Sequence, residues 1–204
     1  MSSFDERART WDTPDRRARA EAVAQAIRDH VTLGPSVRTI EIGAGTGLLG
    51  LALAAEVGEL VLAEPSSGML EVAGEKLAAV GGTDRISAVS FDLLVDPPPG
   101  GPFDLAISLL VLHHLPDTRA ALAALYHLLR PGGRLAIADL EAEDGTFHEP
   151  GSEGIYHDGF DRHDLSASAE SAGFVDVVVI RATEIERHGR TYPVILLLGR
   201  RPRV

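Results

Sequence analysis

Cysteine is absent from the 204 residues, which excludes disulfides, thiolate metal sites and cysteine nucleophiles together. Aromatic residues make up only 5% of the chain, with a single tryptophan, so any segment where they gather carries information. Basic residues are in deficit: 19 Lys and Arg face 30 Asp and Glu, for a net charge of -11. Such a chain repels a phosphate backbone over most of its surface, which weighs against nucleic acid as a partner. Long hydrophobic runs are missing too. The longest largely apolar stretch, 105–112, falls far short of the roughly 20 residues that a membrane-spanning helix requires. Met1 to Arg7 lacks the basic-then-apolar order of a secretory signal. The expectation is a cytoplasmic protein with no membrane insertion.

What is present is ordinary for a globular protein: 45% apolar and 24% charged residues. Length alone favours about one domain with attachments, and the whole of 1–204 is expected to be one. Apolar positions at helical spacing predict a helix over 16–31, stopped by Gly34-Pro35. Strands are predicted over 37–42, 60–63, 86–91, 103–110 and 134–139. Between them lie helices over 48–57, from a Ser66 cap to about Val80 before Gly81-Gly82, and from an Asp117 cap with a Leu122, Leu125, Leu128, Leu129 stripe. Five alternations of strand and helix argue an α/β fold with a parallel, doubly wound sheet. After a helix over 161–172 the rhythm breaks. Runs 175–182 and 192–198 are too close for a helical crossover and are predicted to pair as an antiparallel hairpin. Residues 140–160 form one long connection, read as a lid or acceptor-pocket loop over the strand ends. The basic end, Arg200-Arg201-Pro202-Arg203, reads as a solvated tail.

The most informative segment is Glu41-Ile42-Gly43-Ala44-Gly45-Thr46-Gly47, where a strand delivers glycines into a tight turn that opens a helix. A dinucleotide fingerprint fits only from Gly45 through Gly47 to Gly50, two residues late, and leaves Gly43 unused. The pattern acidic-x-Gly-x-Gly-x-Gly uses every residue in place. In that form the segment resembles motif I of the class I S-adenosylmethionine-dependent methyltransferases. Ala63-Glu64-Pro65-Ser66, Phe91-Asp92-Leu93, 103–108 and Leu129-Arg130-Pro131-Gly132-Gly133 resemble that family's following motifs. Phe4-Asp5, Trp11-Asp12 and Val111-Leu112-His113-His114-Leu115 resemble its small-molecule, quinone-biosynthesis-like branch.

The resemblance implies a Rossmann-like seven-stranded sheet, mostly parallel with a C-terminal antiparallel hairpin. It implies S-adenosyl-L-methionine as cofactor, S-adenosyl-L-homocysteine as product and a small organic acceptor. It places Glu64, followed by Pro65, at the ribose hydroxyls, and Asp92 at the adenine amino group with Leu93 and Met69 on the ring. Glu41 falls near the methionyl amino end, or caps the glycine turn; the two roles are compatible. Gly43, Ala44, Gly45 and Gly47 give room to the methionine chain and ribose, and Ser108 and Leu109 lie beside the sulfonium. Trp11, with Phe4, belongs to an N-terminal arm and helix, 1–33, that closes over the cofactor together with Phe147, Tyr156, His157 and Phe160.

Transfer from a positive sulfur rests on positioning, with a base needed only for a protonated acceptor. His113 and His114 are the candidate catalytic residues, and adjacent residues there cannot both face the pocket. His148, His157 and His163 are weaker candidates, and their spacing with Asp158 or Asp161 matches no metal-ligand pattern, so no metal is expected. Leu140 stands where metal-dependent catechol enzymes carry a second ligand after Asp139, and Ser108 to Val111 lacks the sequence of nucleic-acid amino-methylating enzymes. Two other readings stay open: a non-catalytic S-adenosylmethionine-binding regulatory or assembly domain, and a nicotinamide-dependent oxidoreductase.

Overall fold

The computed structural model describes residues 3–79, 84–149 and 151–203. Thr39–Ile42 (β1), Leu60–Glu64 (β2), Ile86–Ser90 (β3), Phe103–Leu109 (β4) and Leu129–Leu140 (β5) run parallel. Val175–Arg187 (β6) and Arg190–Arg200 (β7) form the antiparallel hairpin, and β7 inserts beside β5, giving the order β3-β2-β1-β4-β5-β7-β6. This is the mostly parallel seven-stranded sheet expected. The strand order reverses between β1 and β4, and in doubly wound sheets ligands bind at such a switch point, beyond the carboxyl ends of the strands.

Both faces of the sheet are covered, which is why its central strands lack polar alternation. Leu135 and Ile137 of β5 turn toward one core with Leu122, Leu125 and Leu165, while Ala136, Ala138 and Leu140 turn toward another with Val23, Ile27 and Leu53. The first face carries Thr118–Leu128 and Arg162–Ser171; the second carries Pro14–His30 and Leu48–Leu53, with Ser67–Ala79 beside β2 and β3. With the short Ser3–Arg7, these helices are numbered α1 to α6 in chain order: Ser3–Arg7, Pro14–His30, Leu48–Leu53, Ser67–Ala79, Thr118–Leu128 and Arg162–Ser171. Their starts follow local chemistry. Thr13 accepts from Arg16 N at 3.3 Å ahead of Pro14, and Asp117 accepts from Ala120 N at 2.9 Å.

Several boundaries differ from the sequence reading, each for a long-range reason. α2 ends at His30 instead of Val31, and Gly34 instead forms a parallel bridge with Val57. That bridge also shortens the helix expected over 48–57, because a buried Val57 in extended pairing cannot be helical. Leu129 belongs to β5 and not to the α5 stripe. Pro131-Gly132-Gly133 is an excursion within β5, at a register break opposite Phe103 and Leu105. The expected solvated tail is paired as well: Arg201 exchanges backbone bonds with Gly132 and Gly133 at 2.9 and 2.8 Å, and its guanidinium donates to Tyr126 O and Leu129 O. The Gly81-Gly82 stop lies outside the described residues. No helix among the described residues is long and apolar enough to cross a membrane.

Candidate active site

The glycine turn, the end of β2, the segment after β4 and the end of β5 converge at the carboxyl edge of the sheet. Gly43, Gly45 and Gly47 have φ of 61°, 55° and 80°, a conformation that side chains resist. Their surroundings differ. A methyl group on Gly43 would lie 2.5 Å from Val111 Cγ2, and one on Gly47 would lie 2.9 Å from Leu62 Cδ1, so both glycines serve close packing of the protein on itself. Over Gly45 the nearest atom is Trp11 Nε1, 3.7 Å from where a Cβ would stand. Leu110, just past β4, takes φ 58°, a strained conformation for a leucine that no sequence signal announces. It aims the next residue, Val111, at Gly43.

Two buried carboxylates brace the turn. Glu64 Oε2 accepts from Gly45 N at 2.8 Å and Oε1 from Ser66 N at 2.9 Å. Burial pushes the Glu64 carboxyl above its ordinary range against those two bonds, and the charge of Asp5 adds to the rise. Glu41 Oε2 accepts from Gly50 N at 2.9 Å, so it caps the first turn of α3. Burial pushes its pKa up to about 8, opposed by the Gly50 bond and reinforced by Glu64. The folded protein therefore holds this proton more tightly than the unfolded chain, and stability falls as pH rises from 4.5 to about 8. Glu41→Gln keeps an acceptor for Gly50 without a charge to bury. In ligand-free protein, the variant should gain about 1–3 kcal/mol on wild type between about pH 5 and pH 8.5. Urea unfolding at both pH values measures this, and a pH-independent difference would show that Glu41 does not titrate on folding in that range.

The N-terminal arm is folded down onto this turn. Asp5 Oδ1 accepts from Gly68 N at 2.9 Å and from Ser66 Oγ at 2.7 Å at the start of α4. Arg9 pairs with Glu71 and Glu75. Asp12 accepts from Thr46 Oγ1 at 2.5 Å and pairs with Lys76 Nζ at 2.5 Å, while the same ammonium donates to Thr46 O at 2.7 Å. Burial raises the Asp12 carboxyl, but the Lys76 and Thr46 bonds outweigh it and hold the group below its ordinary value. Trp11 and Phe4 thereby sit over the turn, with rings 5.8 Å apart and Phe4 5.3 Å from His114. The arm is thus a short helix and a 3-10 turn (Ala8–Thr10) fastened at three places.

His113 and His114 part ways, as neighbours there must. His113 is 1% exposed, and Nδ1 lies 2.6 Å from Asp139 Oδ1. Leu140 N donates to the same oxygen at 2.7 Å, and His113 N to Oδ2 at 3.3 Å. Donors converging on Asp139 make it an acceptor, so the proton of neutral His113 sits on Nδ1 and Nε2 carries a lone pair. That Nε2 is buried, and among the described residues it has no hydrogen-bond partner. His114 Nδ1 is 2.7 Å from Gly154 O, and its pKa is lowered by burial and then by His113. His148, 5.1 Å from the His113 ring, is pushed down to about 4 by burial and then by His113 and His114. Asp139 as the partner of His113 is the site feature the sequence did not single out, while His148, one of the weaker candidate bases, is brought against the His113 ring. An acid ending a strand beside the one that feeds a histidine is the signal available.

The other expected residues are placed as follows. Asp92 accepts from Leu94 N at 2.9 Å, a local turn, and remains partly exposed, with Leu93 buried behind it. Met69 is 1% exposed, whereas Pro65 is exposed. Ala44 N bonds Ala63 O at 3.1 Å. Ser108 Oγ donates to Ile42 O at 2.9 Å, tying β4 to β1, and Leu109 is partly buried. Phe147 packs on His148 and Tyr192, but Tyr156 is 57% exposed, and His157 packs with Phe160 near Leu115 and Thr118. Among the described residues no three His, Cys, Asp or Glu are arranged to hold a metal. A depression lined by His30, Val31, Arg134 and Arg200 lies at the opposite end of the strands, away from all of this.

The donor set fits the cofactor expected from the resemblance. After two backbone bonds the Glu64 oxygens retain lone pairs for hydroxyl donors, and the buried Nε2 of His113 lacks a partner that a ligand can supply. Comparison with known proteins agrees. Residues 40–135 match a family model described as a methyltransferase domain. An uncharacterized methyltransferase of Geobacillus kaustophilus is 32% identical over 152 residues, covering 74% of this chain and 67% of that protein. A demethylmenaquinone methyltransferase of Clavibacter sepedonicus is 36% identical over 102 residues, with 50% of this chain matched to 40% of that one. The chain thus spans less than half of that relative's length. Among solved structures, Haemonchus contortus phosphoethanolamine N-methyltransferase 2 in complex with S-adenosyl-L-methionine shares the fold, with TM-score 0.74 over 99% of this chain and 60% of that one at 17% identity.

Proposed function

Since this chain belongs to the class I S-adenosylmethionine-dependent methyltransferases, we propose that it methylates a small organic acceptor that arrives protonated, with His113 as general base. The observation that carries this reading is the His113–Asp139 pair, buried beside the glycine turn with a lone pair on Nε2 and no partner for it. When bound, S-adenosylmethionine supplies a methyl carbon activated by positive sulfur. Everything else falls to the chain's own residues. Glu64 accepts the ribose hydroxyls, Asp92 the adenine amino group above Leu93 and Met69, and the backbone from Gly43 to Gly47 with Ser108 and Leu109 lines the methionyl side. Trp11 and Phe4 exclude water there and offer aromatic faces to positive charge. His113 takes the acceptor proton on Nε2, and Asp139 holds its ring and stabilises the imidazolium that forms.

A small acceptor, rather than a nucleic acid, accords with the net charge of -11 and with an arm that leaves little open surface above the turn. On this reading the chain acts as one domain in the cytoplasm, with 1–33 and 140–160 covering the site. A purely cofactor-binding role leaves the buried His113–Asp139 pair without a task.

The test is release of S-adenosylhomocysteine across a panel of small hydroxyl, amino and thiol metabolites. At least one acceptor is expected to turn over, and emission from Trp11, the only tryptophan, is expected to change at saturating cofactor. Saturable NADH binding with no response to S-adenosylmethionine or its product would overturn the reading.

A further inference from the structure

The chain's scarce positive charge is concentrated where the arm, α2 and β6 meet. Arg16 and Arg19 share one face of α2, a turn apart, and α2 packs against β6, which ends at Arg187. The Arg16 guanidinium stacks 3.9 Å from the centre of the Trp11 ring, with Arg7 over the same ring at 5.3 Å. Arg187 lies 5.1 Å from the Phe147 ring. Phe147 in turn contacts His148, and His148 contacts His113. The group therefore borders Gly45 through Trp11 on one side and the lone pair of His113 through His148 on the other.

Of these cations only Arg187 meets a carboxylate among the described residues, Glu149 at 3.4 Å. Among the described residues Arg7, Arg16 and Arg19 form no ion pair, although acids outnumber bases 30 to 19 in the chain. Among the described residues Arg16 donates only to Trp11 O, at 2.8 Å, and partly buried Arg19 makes no hydrogen bond. The nearby acids do little to help. Asp12 is engaged by Lys76 and Arg17, Asp15 faces Arg19 without pairing, and Glu149 is divided between Arg187 at 3.4 Å and His188 at 3.3 Å. Arg16 and Arg187 repel Arg19, and burial with that repulsion brings its pKa down to about 10, still fully charged near neutrality. Partly buried, mutually repelling guanidiniums cost stability unless an anion completes them. Guanidinium forks match carboxylate and phosphate oxygens, and Trp11 and Phe147 beside them suit an apolar or aromatic body.

We propose that Arg16, Arg19 and Arg187 receive a carboxylate or phosphate group carried by the methyl acceptor, which is thus a small organic anion. The inference rests on the methyltransferase reading for the word acceptor, but the anion site itself is measurable without cofactor. Phenyl phosphate, benzoate and neutral benzamide are titrated at low salt into the full chain, alone and saturated with S-adenosylhomocysteine, while Trp11 emission is followed. Saturation by phenyl phosphate or benzoate is expected, and which one binds tighter identifies the oxyanion. Arg19→Gln and Arg187→Gln should each weaken that binding roughly tenfold, with Arg119→Gln on exposed α5 surface unchanged. Arg16 is left intact because it stacks on the reporter. Calorimetry should give the same affinity for S-adenosylhomocysteine in all variants. Equal response to benzamide, no response to either anion, or undiminished binding in both variants would overturn the proposal. So would binding of a single-stranded RNA octamer in preference to either small anion. Failure of S-adenosylhomocysteine to bind wild type would instead remove the cofactor reading and leave the anion result standing.

Discussion

Replacing His113 by alanine is expected to lower turnover of a protonated acceptor by about 10²–10⁴-fold while leaving S-adenosylmethionine affinity within roughly a factor of two. The split follows from geometry. His113 is buried within the 3-10 turn Leu112–His114 and packs against His114, so on the proposed reading its loss removes a proton acceptor and not a cofactor contact. Asp139→Asn is the sharper test. Leu140 N and His113 Nδ1 both donate to Oδ1, so the Asn amide keeps its oxygen there and leaves the tautomer in place, but it removes the negative charge that would stabilise the imidazolium. The expected signature is a fall in kcat with little change in KM for the acceptor, in a protein whose thermal unfolding stays cooperative. A large fall in His114→Ala with none in His113→Ala would transfer the role to His114. Unchanged turnover in all three variants would mean that positioning alone suffices.

The second large effect is on the cofactor. Glu64→Ala should weaken S-adenosylhomocysteine binding by roughly 1.5–3 kcal/mol, the worth of hydrogen bonds to a charged acceptor, or about 10- to 150-fold. Truncation also deprives Gly45 N and Ser66 N of their partner, loosening both the glycine turn and the entry to α4. Glu64→Gln separates the two effects, since one amide oxygen can still accept a backbone bond, and its loss of affinity should be smaller. Calorimetry on folded variants reads both. Full affinity in Glu64→Ala would assign ribose recognition to another residue.

Much of this architecture is legible in the chain because local signals agree with one another. The Thr13-Pro14 and Asp117 helix starts, the Gly43-Gly45-Gly47 turn and the closely spaced terminal strands each carry their own chemistry, and the sheet follows from their order. What escapes is decided at a distance. Nothing local tells Val57 to leave its helix for Gly34, or Arg201 to continue pairing beside Gly133. The site divides the same way. Glu41 and Glu64 stand out beside their strands, but the choice between His113 and His114 needs Asp139, 26 residues away. The arm's order needs Asp5 and Asp12 to find Gly68, Thr46 and Lys76, more than 30 residues away in each case. The arginine group joins α2, the arm and β6, and no window of sequence contains it.

The fastening of that arm bears on the timing of the proposed reaction as well as on its shielding from water. Trp11 rests against Gly45 and is held by contacts on either side of it, at Asp5 and at Asp12. With the cofactor beneath Trp11, as proposed, spent cofactor would pass the turn only once those contacts let go. The acceptor's departure is not bound to that release in the same way, because its side of the cleft is walled by Phe147 and the 140–160 connection. On the function proposed above, the expected order of departure is methylated acceptor first and S-adenosylhomocysteine last, which product-inhibition kinetics would read, with the unfastening of a dozen residues near the start of the chain as the step that cofactor release must await.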